Sequence, residues 1–384
     1  MKPNRYTSNR RQFLIGSAAA AILAPPAWAC GWDKDTLRDE IQRKATEFDL
    51  ITGQLPSHSE AWYLRRESES RQTLTATPGD LSAHDDLGTA LLKLKRYDES
   101  DVVFAAALAL DADRYETLSN LGVLRKKQGR LEEAAEFISK ALKKKPEGHL
   151  GVGDWYTRAL KWRTRENPNR SFLNVGYDEV LEPMEMVATD DPKRWFELED
   201  AFYVFSGQSH VAIGSVRRAG LTPSKYSLAR PDSSEDREQF LALLKRDHER
   251  LRKLIRYDNH FSDAHLILGD ELTQGIENLD LAALAWSRAK TLGHPRADRL
   301  DLRIGGAAMH WNEADVGVSR EQLATGVAHA MASSAKWVEA FHAMETKLVD
   351  AGRTPTFEET ETALEESGVQ RFRAEDMDRW TVKG

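Results

Sequence analysis

Residues 81–114 read LSAHDDLGTALLKLKRYDESDVVFAAALALDADR, and residues 115–148 read YETLSNLGVLRKKQGRLEEAAEFISKALKKKPEG. The second stretch repeats the first at a spacing of 34 residues, with Leu87 in register with Leu121 and Gly88 with Gly122. Counted from the glycine, Ser100 or Ala134 lies 12 residues on, Phe104 or Ile138 lies 16 on, and Ala107 or Ala141 lies 19 on. Residues 94–98 and 128–132 read as turns between two helical halves, and Gly129 suits a helix end that needs positive φ. Small side chains at the glycine and at Ser100 or Ala134 let the two helices approach closely. Phe104 and Ile138 then fill the space between units.

Small, large and small residues at these offsets resemble the tetratricopeptide repeat, a helix–turn–helix unit of about 34 residues. Pro146 falls where that family has its closing proline, and Ala112 replaces it in the first copy. The resemblance implies an all-α fold, a helical-hairpin tetratricopeptide solenoid with additional flanking helices. It implies a way of binding and not a ligand.

Residues 1–29 read as an export signal. Lys2, Arg5, Arg10 and Arg11 open the chain with no acidic residue before Asp33, and an apolar run at 13–24 has signal-peptide length. Residues 9–14, NRRQFL, resemble the twin-arginine translocation motif through Arg10 and Arg11; an ordinary Sec signal carrying two arginines is the alternative. Ala27-Trp28-Ala29 matches the A-x-A cleavage pattern, so the mature chain begins at Cys30. The expected location is the periplasm or cell surface of a bacterium. Cleavage removes four of the 54 basic residues and none of the 61 acidic ones, deepening the formal charge from −7 to −11. Such a surface suits neither nucleic acid nor anionic lipid. Cys30 is the only cysteine, so no internal disulfide forms; a membrane contact is expected only if Cys30 is acylated.

Residues 30–80 form a helical lead-in, with a helix expected over 58–77. Cys30-Gly31-Trp32-Asp33, Ile51-Thr52-Gly53 and His58-Ser59 followed by Trp62-Tyr63 are similar to the start of a group of exported bacterial tetratricopeptide proteins of unassigned activity. The array occupies 81–165, where Tyr156 stands in place of a small residue and Trp155, Tyr156, Leu160 and Trp162 are expected to cap its end. Residues 166–234 are an irregular or helical connection. Residues 235–384 form a second helical region with one diverged repeat at 262–295. There Leu268-Gly269 is followed by Ala282, Trp286 and Ala289 at offsets 13, 17 and 20 from the glycine, each one longer than before.

Chemistry-bearing patterns are few. Asp258, His260, Asp263 and His265 are the densest donors, but His260 and His265 are five apart and miss the i, i+4 spacing of a helical zinc pair. Asp263 or Ser262 reads more simply as a helix cap. His248-Glu249 begins like a zincin motif, with Arg252 where the second histidine belongs. His58, Ser59 and Glu60 are adjacent on one turn and cannot assemble a nucleophilic relay. No catalytic residue and no cofactor are expected, and His260 and His265 are only weak metal candidates.

The family resemblance places ligands on the concave face, lined by the first helix of each repeat. The corresponding residues include Asp85, Thr89, Lys93, Glu116, Asn120, Val123, Lys126 and Lys127. Asp85 and Thr89 stand where a carboxylate clamp needs lysine and asparagine, so that clamp is not expected. The reading is a non-enzymatic exported scaffold that binds a protein or peptide. Its alternatives are an exported enzyme or metal protein with a site near 171–265, or a lipid-anchored envelope component. The anchored form predicts membrane fractionation that disappears in Cys30→Ala; the metal form predicts bound metal lost on changing His260 and His265 to Ala.

Overall fold

A glycine opposite a large side chain recurs three times and sets the helix spacing. The computed structural model describes residues 45–164, 169–177, 211, 234–272, 279–301, 303–305 and 320–379. The lead-in supplies α1 (Glu47–Thr52) and α2 (Glu60–Ala76). The array follows as α3 (Leu81–Lys93), α4 (Tyr97–Leu110), α5 (Tyr115–Lys127), α6 (Leu131–Lys144) and α7 (Gly153–Arg163). The remainder contains α8 (Ser234–Tyr257), α9 (Ser262–Leu272), α10 (Leu279–Thr291), α11 (Arg320–Asp350) and α12 (Phe357–Glu366). Among the described residues the only β pairing is an isolated bridge between Arg170 and Gly176.

In the first hairpin a Cβ built on Gly88 would strike the Phe104 ring, and in the second one on Gly122 would strike Ile138. Phe104, Ala107, Ala134, Ile138 and Ala141 have no exposed surface. Ser100 is small and also polar for a reason: its hydroxyl donates to the Gly88 carbonyl at 2.7 Å. The hairpin of α9 and α10 uses the same device, with Gly269 against the Trp286 indole. Ala282, Trp286 and Ala289 are fully buried there, and Trp286 Nε1 donates to Asp270 at 3.0 Å. The turn between Gly269 and Ala282, across which this unit is one residue longer than the first two, includes 273–278, outside the described residues. Gly129 has φ 80°, as its turn requires, and Lys95 adopts φ 62° at the equivalent position of the first copy.

The aromatic group on α7 does cover α6, but it is itself covered, which corrects its expected role as a terminal cap. Trp155 packs edge-on against Phe172 at 5.4 Å and beneath the Arg250 guanidinium at 4.7 Å. Trp162 meets Phe261 and His294, and its indole donates to the Arg170 carbonyl at 2.8 Å. Asp263 is likewise not a simple helix cap. Its fully buried carboxylate accepts the Phe172 amide at 2.7 Å and the Tyr177 hydroxyl at 2.6 Å, with His294 at 3.2 Å. A buried carboxylate is tolerated only with such donors, and these tie 169–177 to α9.

The lead-in meets the tail. The α1 helix packs on α8, α10 and α11, and α11 packs along α2. Glu345 on α11 holds His58 Nδ1 at 2.6 Å and the Ser59 amide at 2.5 Å. The His58 ring is stacked between Trp62 at 4.0 Å and Phe357 at 4.1 Å. Ser59 caps α2 through the Trp62 amide, so His58 and Ser59 belong to a seam and not to a relay. The helices therefore run in a closed circuit: the array, then 169–177, then α9 and α10, then α1 with α11, and back to α2.

Gly122→Val is expected to lower stability by about 1–3 kcal/mol through overpacking against Ile138. Gly79 has open space where a Cβ would stand, so Gly79→Ala should cost nothing measurable. Urea denaturation of the two variants checks the contrast.

Candidate functional site

Three of the expected groove residues serve a different purpose. Asp85 is buried, ion-paired to Arg114 at 2.6 Å and bonded to the Thr117 hydroxyl at 2.7 Å. Asn120 donates to the Thr89 hydroxyl at 3.2 Å, and both are about 1 % exposed. These contacts join α3 directly to α5. The first helices approach so closely that Asp85, Thr89 and Asn120 lie between repeats, and a buried polar atom must find its partner there. They are corrected from ligand residues to inter-repeat fastenings. Burial pushes the Asp85 carboxyl up, with Thr117 and Arg114 opposing it. Glu116 is half-buried beside this seam.

The other candidates converge. Lys93, Val123, Lys126 and Lys127 line a pocket of about 360 Å³ on the concave side of the array. Lys95, Tyr97 and Tyr156 extend the same wall. The opposite wall is the 55–57 connection, the last residues of α8 (Arg256 and Tyr257) and the 258–260 turn that follows it. The groove of the array is thus narrowed by another part of the same chain.

The floor is charged. Lys126 Nζ lies 2.8 Å and Arg163 2.6 Å from the same oxygen of Asp258. Burial alone would raise Asp258, but Lys126 and Arg163 together outweigh it and hold the carboxyl low, at about 2. Burial lowers the Lys126 ammonium to about 8 despite the attraction of Asp258. The ammonium also sits 5.5 Å from the Tyr156 ring centre, and burial followed by the Asp258 charge pushes that phenol up. Lys93, Lys95, Lys127 and Arg256 also line it, and among the described residues Asp258 is its only carboxylate. Local charge is therefore reversed against a chain of net −7.

Behind the floor lies His149, buried, with ring centres of Tyr156 and Tyr257 at 6.0 Å. Burial drives its pKa down to about 3, so the ring is neutral. The turn carrying it is left-handed at three successive residues, with φ of 54°, 55° and 77° at His149, Leu150 and Gly151.

His260 is exposed at the pocket edge, whereas His265 is buried and donates from Nε2 to the Asn259 carbonyl at 2.9 Å. Burial lowers His265 to about 4. Among the described residues no three His, Cys, Asp or Glu side chains are grouped to hold a metal. Arg10, Arg11, Ala29 and Cys30 lie outside the described residues, as does most of 166–234. Sequence reasoning picked out Asp258 only as a metal donor and passed over Arg163 and Tyr257.

The depressed Asp258 pKa has a sign. Its folded value of about 2 lies below the unfolded value of about 3.9, so its contribution is full above pH 4 and is lost as pH falls through 2. Removing that titration by Asp258→Asn should flatten the acid limb of stability by about 2 kcal/mol relative to the unaltered chain. Urea midpoints measured between pH 2 and 5 for both proteins supply the difference.

The tetratricopeptide repeat family matches residues 81–114 and 115–147. Comparison with curated proteins returned no match. Periodicity, the glycine contacts and the hairpin packing agree with the family match, and residues 81–147 are a pair of tetratricopeptide repeats.

Proposed function

We propose that the protein is an exported scaffold that receives a short segment of a protein partner in the pocket between the array and the end of α8 with its 258–260 turn. Stacked tetratricopeptide repeats are in general protein-interaction scaffolds with an extended concave surface. The observation that carries the reading is the convergence of Lys93, Val123, Lys126 and Lys127 on one pocket with Tyr156. Its volume of about 360 Å³ suits a few residues of extended chain better than a helix about 10 Å across. The export part rests on residues 1–29, with Arg10, Arg11 and the cleavage pattern ending at Ala29. The compartment it implies is the periplasm or cell surface. Among the described residues no helix is long and apolar enough to cross a membrane.

Lys95 and Lys127 are exposed, so reversing their charge leaves the core intact. Lys95→Glu with Lys127→Glu is expected to weaken partner capture from envelope extract by about tenfold or more, the scale of an interface hot spot. Equal capture by the variant, with unchanged helicity by circular dichroism, would remove the pocket from the reading. Cell fractionation of the full chain tests the export part: Arg10→Lys with Arg11→Lys should retain it in the cytoplasm if the twin-arginine route is used.

A further inference from the structure

The cation pair on the array and the carboxylate that joins them come from different parts of the fold. Lys126 is on α5 and Arg163 ends α7, both within the array, whereas Asp258 is delivered by the turn after α8. Lys126 lines the open pocket, while Arg163 lies outside the lining and is reached through the Asp258 carboxylate. An acidic group entering the pocket therefore finds Lys126 in its wall already held by Asp258.

We infer that Lys126 and Arg163 form the pocket's anion-binding position, that its ligand is an acidic side chain of the partner segment, and that Asp258 occupies it as a built-in competitor. The inference rests on the scaffold reading of the same pocket and adds the chemistry of the ligand. Three observations carry it. The first is the geometry: two cations from the array share one oxygen of a carboxylate from elsewhere in the chain. The second is the sign: Lys93, Lys95, Lys127 and Arg256 line the pocket with Lys126, and among the described residues no acidic side chain other than Asp258 does, although the chain as a whole is acidic. The third is proximity: Lys126 and Asp258 both line the open volume of about 360 Å³.

An internal occupant lowers apparent affinity by the fraction of molecules in which it holds the site, and removing it restores the intrinsic value. A purely structural Asp258 behaves in the opposite way. Its loss would leave Lys126 and Arg163 uncompensated and weaken everything built on the turn. The two roles are thus separable by the direction of the effect on binding.

The test uses the purified full chain and fluorescein-labelled hexaglutamate, hexaglutamine and hexalysine peptides, read by fluorescence anisotropy. Hexaglutamate is expected to bind in preference to the other two and to lose affinity in Lys127→Glu. Asp258→Asn should tighten hexaglutamate by about tenfold, within the usual range of a coupling between competing interactions. Because that variant is open to destabilisation, a second measurement stands beside it. The melting temperature of Asp258→Ala should rise in sodium acetate relative to sodium chloride at equal ionic strength, as free carboxylate refills the position, and the unaltered chain should show no such difference. Unchanged or weaker hexaglutamate binding in a folded Asp258→Asn, together with no acetate response in Asp258→Ala, would overturn the inference. Lys127-dependent binding of hexaglutamine without any carboxylate response would also overturn it, while leaving the scaffold reading in place. Acetate rescue with no binding of any peptide would uphold the anion position and remove the peptide-scaffold reading.

Discussion

The contact on which the structure depends is the meeting of a bare glycine backbone with a large side chain one helix away. At Gly88, Gly122 and Gly269 the opposing group is Phe104, Ile138 or Trp286, and no Cβ fits between them. That spacing brings the first helices of successive repeats close enough for Asp85 to reach Arg114 and Thr117, and for Thr89 to reach Asn120. Packing therefore comes first and the polar fastenings follow from it. Residues at nominal groove positions become interior once the helices close up, and only those further along α3 and α5 remain to face the pocket.

Closing the circuit needs a different kind of contact. The array and the returning helices do not share a repeat, so no periodic apolar ridge aligns them. Each seam is held instead by a buried carboxylate: Asp263 at 169–177, Glu345 at the lead-in and Asp258 at the end of α8. Buried ion pairs of this kind add little net stability, because desolvation offsets most of the attraction. Their directional bonds instead favour one arrangement of the seam over a slipped one. Asp270, bonded to Trp286 and bidentate to Arg303 at 2.7 Å, plays the same part inside the second helical region.

This division explains what was legible in the sequence. The hairpins were, because Gly88 and Phe104 lie only 16 residues apart and their pattern recurs at 34. Even the diverged unit could be read from Leu268-Gly269 and Trp286. The seams were not, since Glu345 meets His58 across 287 positions and Asp263 meets the Phe172 amide across 91, distances over which spacing carries no signal. Asp263 consequently looked like a local cap, and His58-Ser59 like a local cluster. The pocket was half legible: Lys93, Val123, Lys126 and Lys127 follow from repeat register, whereas its opposite wall comes from the return of the chain.

Register also accounts for the charge of the pocket. Gly88, Gly122 and Tyr156 are successive members of one 34-residue series. With tyrosine in the third place, α7 lacks the small residue against which its predecessors pack the large side chain of a second helix. The left-handed turn at His149–Gly151 redirects the chain at that point, at a cost on the order of 1–2 kcal/mol for each non-glycine residue. The Tyr156 ring then lies against Lys126 while Trp155 and Trp162 are taken up by the returning segment. The end of α8 and the 258–260 turn come back across the first-helix side of the array and close the far wall of the pocket. The charge of the pocket is mainly that of the lysines the first two repeats place there, Lys93, Lys95, Lys126 and Lys127.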